Sequence, residues 1–238
     1  LGDVYKRQQL NSANIGNGGA ISAGGNVTVE SSTLNQNGIY NIGNGGAISA
    51  GGTVEITNSQ INSNQTINGS GGAISAAGDV SISNNSEISS NTATWGGGGA
   101  VSSSGAVTVS NSTINSNQTS FDGGAVKTTG AVLIETNSTL NGNISYSGNG
   151  GAITTDSSVT ILESTLQNNS TQIGNGGAIS AVDNVVISAA NISNNNANNG
   201  SGGAVSTSGN IQVTDNSTIS SNNATNDGGA LSSSGSIS

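Results

Sequence analysis

The hydrophobic positions of this chain recur about every 26 residues around a Gly-Gly-Ala triplet that appears nine times. The alanines of these triplets are Ala20, Ala47, Ala73, Ala100, Ala125, Ala152, Ala178, Ala204 and Ala230. An aliphatic residue follows each triplet, a second stands seven residues after the alanine, and a third lies two residues beyond the second in every complete repeat. Aliphatic residues at a period of two are typical of a strand. The fixed long period indicates stacked repeats rather than a globular domain around one closed core.

Each repeat also contains an aliphatic-x-x-Asn element. Its aliphatic member is Leu34, Ile61, Ile88, Ile114, Leu140, Leu166, Ile192 or Ile219, and its asparagine is Asn37, Asn64, Asn91, Asn117, Asn143, Asn169, Asn195 or Asn222. The complete unit predicts three short strands per repeat with Gly and Asn at the corners, because both residues tolerate positive φ. We expect these corner asparagines to stack and to exchange side-chain amide hydrogen bonds between repeats.

Strands that recur once per repeat stack in parallel on their counterparts, and parallel crossovers are almost always right-handed. The sequence therefore predicts an all-β fold, a right-handed parallel β-helix (a solenoid) of about nine coils, with a length of about 40 Å. Other repeat folds fit less well. Leucine is too scarce for leucine-rich repeats, no six-residue period exists, and the calcium-binding G-G-x-G-x-D nonapeptide does not occur.

The two ends of the chain differ from the repeat. Residues 1–8, LGDVYKRQ, resemble the translation of a transposon-end adapter used in sequencing libraries, so we expect a non-native scar there. Residues 9–238 are predicted to form a single β-helix repeat domain that is truncated at both ends. Because caps are missing, end-to-end or edge association between copies is expected.

Composition narrows the function classes. The formal net charge is −9 with three basic residues, so the sequence lacks the basic footprint of a nucleic-acid-binding protein. No run approaches 18 consecutive apolar residues, which predicts that this segment is not embedded in a membrane. His and Cys are absent, which removes most nucleophile–base pairs and most transition-metal sites. We expect no metal and no cofactor.

Paired carboxylates would be the remaining catalytic possibility. The acidic residues outside the scar fall in different columns of the repeat; they are Glu30, Glu55, Asp79, Glu87, Asp122, Glu135, Asp156, Glu163, Asp183, Asp215 and Asp227. Lys127 is the one basic residue outside residues 1–8. We predict solvated charges with no catalytic residues, and a chain that is not an enzyme.

The turn between the corner asparagine and the next triplet holds most of the aromatic residues, namely Tyr40, Trp95, Phe121 and Tyr146. Stacked coils would place them along one edge of the rod, where exposed rings suit sugars or a partner protein. Ile42, Ile67 and Ile173 lie in the same turn, and they favour the alternative that the aromatic residues fold over the corner and cover aliphatic core.

A column of hydroxyl residues follows the triplets, and Lys127 interrupts it; its members are Ser22, Ser49, Ser75, Ser102, Thr154, Ser180, Ser206 and Ser232. A flat hydroxyl face could bind ice or crystalline polysaccharide. We favour the simpler interpretation that small polar residues suit the outside of a strand, because an ice-binding face would be richer in threonine methyl groups.

The pairing of GGA-[ILV] with a hydrophobic-x-x-Asn element resembles the chlamydial polymorphic membrane protein repeat, whose motifs are GGA-[ILV] and F-x-x-N. Gly45-Gly46-Ala47-Ile48 and Ile61-Asn62-Ser63-Asn64 carry the resemblance, which covers about residues 10 to 230. Ile or Leu replaces the Phe of that family throughout. The resemblance implies an autotransporter-like passenger, an extended β-helix displayed outside the cell, often as an adhesin.

We therefore expect an extracellular, structural or adhesive segment of a bacterial surface or secreted protein. A host-cell or matrix protein or a surface glycan is its expected partner. The alternatives are a glycan-binding or polysaccharide-active β-helix module whose active part lies outside this segment, and an ice-binding solenoid.

Overall fold

The computed structural model, which describes residues 6–238, is an all-β parallel solenoid of about nine turns. The predicted parallel β-helix is thus confirmed. Every strand pair is parallel, and each strand bonds to its counterpart one repeat away, as Ile48 does to Ile74 and Ile74 to Val101. We count coils from the N-terminus, each beginning at its aliphatic-x-x-Asn strand. The part of the chain that the structure describes contains no helix long and apolar enough to cross a membrane.

Four sheets run along the rod. Sheet A comprises Lys6–Gln9, Ser32–Asn35, Gln60–Asn62, Glu87–Ser89, Thr113–Asn115, Thr139–Asn141, Thr165–Gln167, Asn191–Ser193 and Thr218–Ser220. Sheet B comprises Ser12–Ile15, Gly38–Ile42, Gln65–Asn68, Thr92–Ala93, Gln118–Thr119, Ile144–Ser145, Ser170–Thr171, Asn196–Ala197 and Asn223–Ala224. Sheet C comprises Ile21–Ala23, Ile48–Ala50, Ile74–Ala76, Val101–Ser103, Val126–Thr128, Ile153–Thr155, Ile179–Ala181, Val205–Thr207 and Leu231–Ser233. Sheet D comprises Val27–Glu30, Val54–Thr57, Val80–Ser83, Val107–Ser110, Val132–Glu135, Val159–Leu162, Val185–Ser188 and Ile211–Thr214.

Sheet B is a fourth strand per coil where the sequence predicted three. Its inward residue is small and often polar in every coil except that of Ile39, so sheet B gives no hydrophobic period. Thr66 and Thr171 are examples, and both are fully buried. The hydroxyl of Thr66 donates to the carbonyl of Gly43 at 2.7 Å, and this bond compensates the burial of a polar group. In sequences such as Asn64-Gln65-Thr66, the asparagine is therefore the corner residue and the threonine is the inward residue of sheet B.

The interior is built from the predicted aliphatic columns. The side chains of Ile48, Ile56 and Ile61, one from each of three sheets in the same region, are fully buried, and their columns form one continuous core. Among the described residues, every buried side-chain nitrogen or oxygen has a hydrogen-bond partner. Apolar burial and satisfied polar groups thus hold the same rod together.

The two glycines of each triplet have different roles. Gly150, the first, has φ of +60°, a left-handed conformation that favours glycine. Gly151, the second, lies so close to the next coil that a Cβ would be 2.1 Å from the carbonyl oxygen of Gly177. Two other corners differ from the prediction that Asn and Gly adopt positive φ there. At the corner asparagine, the preceding residue, such as Ser63, takes positive φ instead. The glycine before sheet D does not take positive φ.

The corner asparagines form a ladder along the rod. The side-chain Nδ2 of each donates to Oδ1 of the asparagine in the next coil at 2.9–3.0 Å, from Asn37 through to Asn222. From Asn37 onward, the same Nδ2 also donates to a main-chain carbonyl of the preceding coil, as Asn143 does to Ile114 at 2.9 Å. The Oδ1 atom accepts a main-chain N–H as well, so the amide uses all its donors and acceptors.

The ladder begins one coil earlier than the sequence indicated. Asn11 Nδ2 donates to Oδ1 of Asn37 at 2.9 Å, and Gln8 pairs with Leu34, so Gln8 occupies the aliphatic position of the first coil. Residues 1–5 of the expected adapter scar lie outside the described residues, and Lys6–Gln9 form a strand of sheet A. That residues 1–8 are a non-native scar stays a prediction.

Candidate functional site: a hydrophobic edge

One edge of the rod carries most of the exposed large hydrophobic side chains. Seven of the ten such residues in the described part of the chain lie within a sheet B strand or between that strand and the next triplet. They are Ile15 (69 % exposed), Tyr40 (50 %), Ile42 (59 %), Trp95 (62 %), Phe121 (42 %), Tyr146 (44 %) and Ile173 (59 %). We call this set, together with the half-buried Ile67, the hydrophobic edge. Isolated exposed apolar residues need no explanation, but a contiguous stripe indicates a contact surface.

Parallel stacking places these side chains on consecutive coils. Ile15 pairs with Ile42, the main-chain N of Trp95 donates to the carbonyl of Ile67 at 2.8 Å, and the N of Tyr146 donates to the carbonyl of Thr119 at 2.9 Å. Coils 1 to 7 thus each contribute at least one member. Strands stack at about 4.8 Å, so the edge spans about 30 Å.

The structure brings three of the four predicted aromatic residues onto adjacent coils. Trp95, Phe121 and Tyr146 lie on coils 4, 5 and 6, and Tyr40 lies two coils before Trp95. The four aromatic residues are 42–62 % exposed, whereas the sequence favours rings that fold over the corner and cover aliphatic core. Side chains with this much exposed surface on consecutive coils remain available for contact.

The segment between the corner asparagine and the triplet is one residue shorter in the coil of Phe121 than in the coils before and after it. The carbonyl of Phe121 accepts the hydroxyl of Ser145 at 2.5 Å, as the carbonyl of Gly43 accepts that of Thr66. Phe121 therefore occupies the position at which other coils have a turn glycine. Phe121 and Trp95 lie on adjacent coils, although the two residues differ by one place in their repeats.

The polar residues beside the rings are ordered by hydrogen bonds. Tyr146 Oη donates to Oε1 of Gln118 at 3.1 Å, and Gln118 Nε2 donates to Oγ1 of Thr92 at 3.2 Å. Together with Thr94 and Ser120 these side chains line a shallow depression of about 250 Å³. The depression offers amide and hydroxyl groups and no charge, which suits a neutral, hydroxyl-rich ligand.

The hydroxyl column lies on sheet C, around the corner from the hydrophobic edge. Ser102, Lys127 and Thr154 pair in register across three coils, and the other members continue the column in both directions. Lys127 Nζ lies 3.2 Å from Oδ2 of Asp122, so this cation is already paired. Asp122 Oδ1 in turn accepts the main-chain N of Asn149 at 2.8 Å, which fixes the carboxylate at the turn.

The carboxylates stay dispersed in the folded rod. No group of three or more Asp or Glu residues that could share a metal ion occurs within residues 6–238. Asp215 accepts hydrogen bonds from Ser188 Oγ at 2.6 Å and from Thr214 Oγ1 at 3.0 Å, and these bonds lower the pKa of its carboxyl below the usual value. The prediction that the chain is not an enzyme stays a prediction.

Asp215→Asn is expected to give a small, pH-dependent loss of stability. A lowered folded-state pKa contributes stability that is present above the unfolded pKa and is lost as pH falls through the folded pKa. The melting temperature of the unsubstituted chain should exceed that of D215N at pH 7, and the difference should shrink below about pH 4. Melting curves of both proteins from pH 7 to pH 3 check this. A difference that grows on acidification would contradict it.

Comparison of the chain with protein-family models, with curated proteins and with solved structures finds no match.

Proposed function

We propose that this chain is a non-catalytic adhesive rod, a segment of a bacterial surface or secreted protein that acts outside the cell. The observation that carries the proposal is the hydrophobic edge, which runs along seven coils of an otherwise polar surface. An exposed stripe of this kind is costly for a soluble protein unless something binds to it.

The construction of the rod supports a display role. Each coil is bonded to the next by four sheets and by the asparagine ladder, so the spacing of the edge residues is fixed by the backbone. Nearest-neighbour stacking of this kind lets length grow by repetition. A rod of about 40 Å holds its edge away from whatever it is attached to.

The motif resemblance supports the location. Chlamydial polymorphic membrane protein repeats share the GGA-[ILV] motif and the hydrophobic-x-x-Asn element, and they imply a passenger displayed at the cell surface. The net charge of −9 favours solubility outside the cell. A nucleic acid binds to clusters of basic side chains, and this chain has only three basic residues, so a nucleic acid is a poor candidate partner.

The test is bead adhesion. Microspheres coated with the purified chain are placed on epithelial cell monolayers, and the beads retained under shear are counted against albumin-coated beads. We expect retention at least about fivefold above albumin, and a fall to the albumin level when Trp95→Asn, Phe121→Gly and Tyr146→Ser are combined. These replacements copy residue types found at the equivalent positions of other coils, Asn68, Gly148 and Ser120, so the rod should still fold.

Val182→Ser is the matched control. Val182 is 50 % exposed but lies in the turn between sheets C and D, where other coils have residues such as Ser208. It should leave bead retention unchanged. Retention no better than albumin, or an equal loss in both variants, would contradict an adhesive edge.

A further inference from the structure

We propose that the central part of the hydrophobic edge binds an uncharged polysaccharide chain, with sugar rings resting on Trp95, Phe121 and Tyr146. This inference depends on the proposed adhesive function and names its ligand class. It assigns the hydrophobic edge to carbohydrate rather than to protein.

The first argument is the spacing of the rings. The three aromatic residues lie on consecutive coils and are each more than 40 % exposed. Strands stack at about 4.8 Å, so three consecutive coils place these side chains within about 10 Å of one another along the rod axis. A pyranose ring has an apolar C–H face that packs on an aromatic face, and a linear chain presents such faces one after another.

The second argument is the polar lining beside these aromatic residues. Thr92, Thr94, Gln118 and Ser120 border the same depression as Tyr146. The hydrogen bonds from Tyr146 to Gln118 and from Gln118 to Thr92 hold the amide in a fixed orientation. Preset donors and acceptors at the rim suit the hydroxyl groups of a sugar whose face is stacked on the rings, because little side-chain order is lost on binding.

The third argument is charge. Lys127, the basic residue near the rings, is paired with Asp122 at 3.2 Å, and the chain has a net charge of −9. A glycan that carries sulfate or uronate would meet repulsion without a free cation. A neutral glycan avoids this cost, so the electrostatics favour hexose and pentose polymers over acidic ones.

A protein partner fits the central edge less well. Hot spots in protein interfaces are apolar pockets from which the surrounding residues exclude water. Here the rings have small polar neighbours, such as Ser120 and Ser147, and the adjacent depression is shallow and lined mostly by hydroxyl and amide groups. This lining does not form the dry apolar centre that a protein partner would need.

Affinity gel electrophoresis of the whole chain tests the ligand class. The gels contain xyloglucan, mixed-linkage β-glucan, galactomannan or dextran as neutral probes, and polygalacturonate or heparin as acidic probes. We expect at least one neutral polymer to retard the chain and the acidic polymers to leave its mobility unchanged. Trp95→Asn should weaken binding about tenfold, and the variant that combines Trp95→Asn, Phe121→Gly and Tyr146→Ser should abolish the retardation.

Val182→Ser again serves as the control and should bind like the unsubstituted chain. The inference fails if no neutral polymer retards the chain, if the triple variant is still retarded, or if acidic polymers alone bind. Bead adhesion separates this failure from failure of the adhesive function. If beads are still retained through the hydrophobic edge on monolayers stripped of glycans, the adhesive function stands and the glycan ligand is wrong. If the chain binds polysaccharide but the beads are not retained, the glycan ligand stands and the adhesive function is wrong.

Discussion

Replacing Asn143 with alanine is expected to lower the free energy of unfolding by about 3–5 kcal/mol. Asn143 is fully buried at the centre of the ladder. Its Oδ1 accepts both the main-chain N and the Nδ2 of Asn117 at 3.0 Å, and its Nδ2 donates to Ile114 O and Asn169 Oδ1 at 2.9 Å. Alanine would leave several of these groups buried without a partner, which costs about 1–3 kcal/mol for each.

Asn141→Ala is the matched control for this substitution. Asn141 lies two residues away on the same coil, on the outward side of sheet A, and its Oδ1 accepts an exposed hydrogen bond from Asn168 at 2.8 Å. Its loss should cost less than about 1 kcal/mol. Urea unfolding followed by circular dichroism gives both values. If the two variants differ by less than about 1 kcal/mol, the ladder does not carry the stability that its geometry indicates.

Periodicity predicts the fold of this chain because the inward positions of three of its four sheets are aliphatic and recur in each coil. The columns of Ile48, Val54 and Ile56 recur without exception, and their neighbours alternate with them as strands require. Sheet B could not be predicted in this way, since inward residues such as Thr66 are polar. The signal that could have found it is Asn-x-Thr at a fixed distance from the turn glycine, because Thr66 bonds to Gly43 O.

The hydrophobic edge is predictable in part. The sequence places Tyr40, Trp95, Phe121 and Tyr146 in one turn of the repeat, but it does not determine whether that turn covers them. Exposure depends on the exact length of each turn. The segment from Asn117 to the next triplet is one residue shorter than in the neighbouring coils, so Phe121 takes a glycine position. Small differences of this kind have no hydrophobic signature.

A second substitution tests the packing between coils. Gly151→Ala is expected to cost at least about 4 kcal/mol. A Cβ on Gly151 would lie 2.1 Å from the carbonyl oxygen of Gly177 and 2.5 Å from the main-chain N of Ser170. Both contacts are backbone atoms of coil 7, so a rotamer change cannot relieve the overlap. The two coils would have to separate, which would weaken hydrogen bonds in several sheets at once.

Gly229→Ala distinguishes this overlap from the general effect of replacing a glycine. Gly229 is the second glycine of the ninth triplet, and a Cβ there would meet no atom within 4 Å. It should be neutral within about 0.5 kcal/mol, or slightly stabilising because alanine restricts the unfolded chain. Thermal melting compares the two variants, and hydrogen exchange at the amides of Ala152 and Ile153 shows whether opening begins between coils 6 and 7. Equal melting temperatures for the two variants would mean that adjacent coils separate without cost, and that close backbone stacking is not what requires Gly-Gly in the triplet.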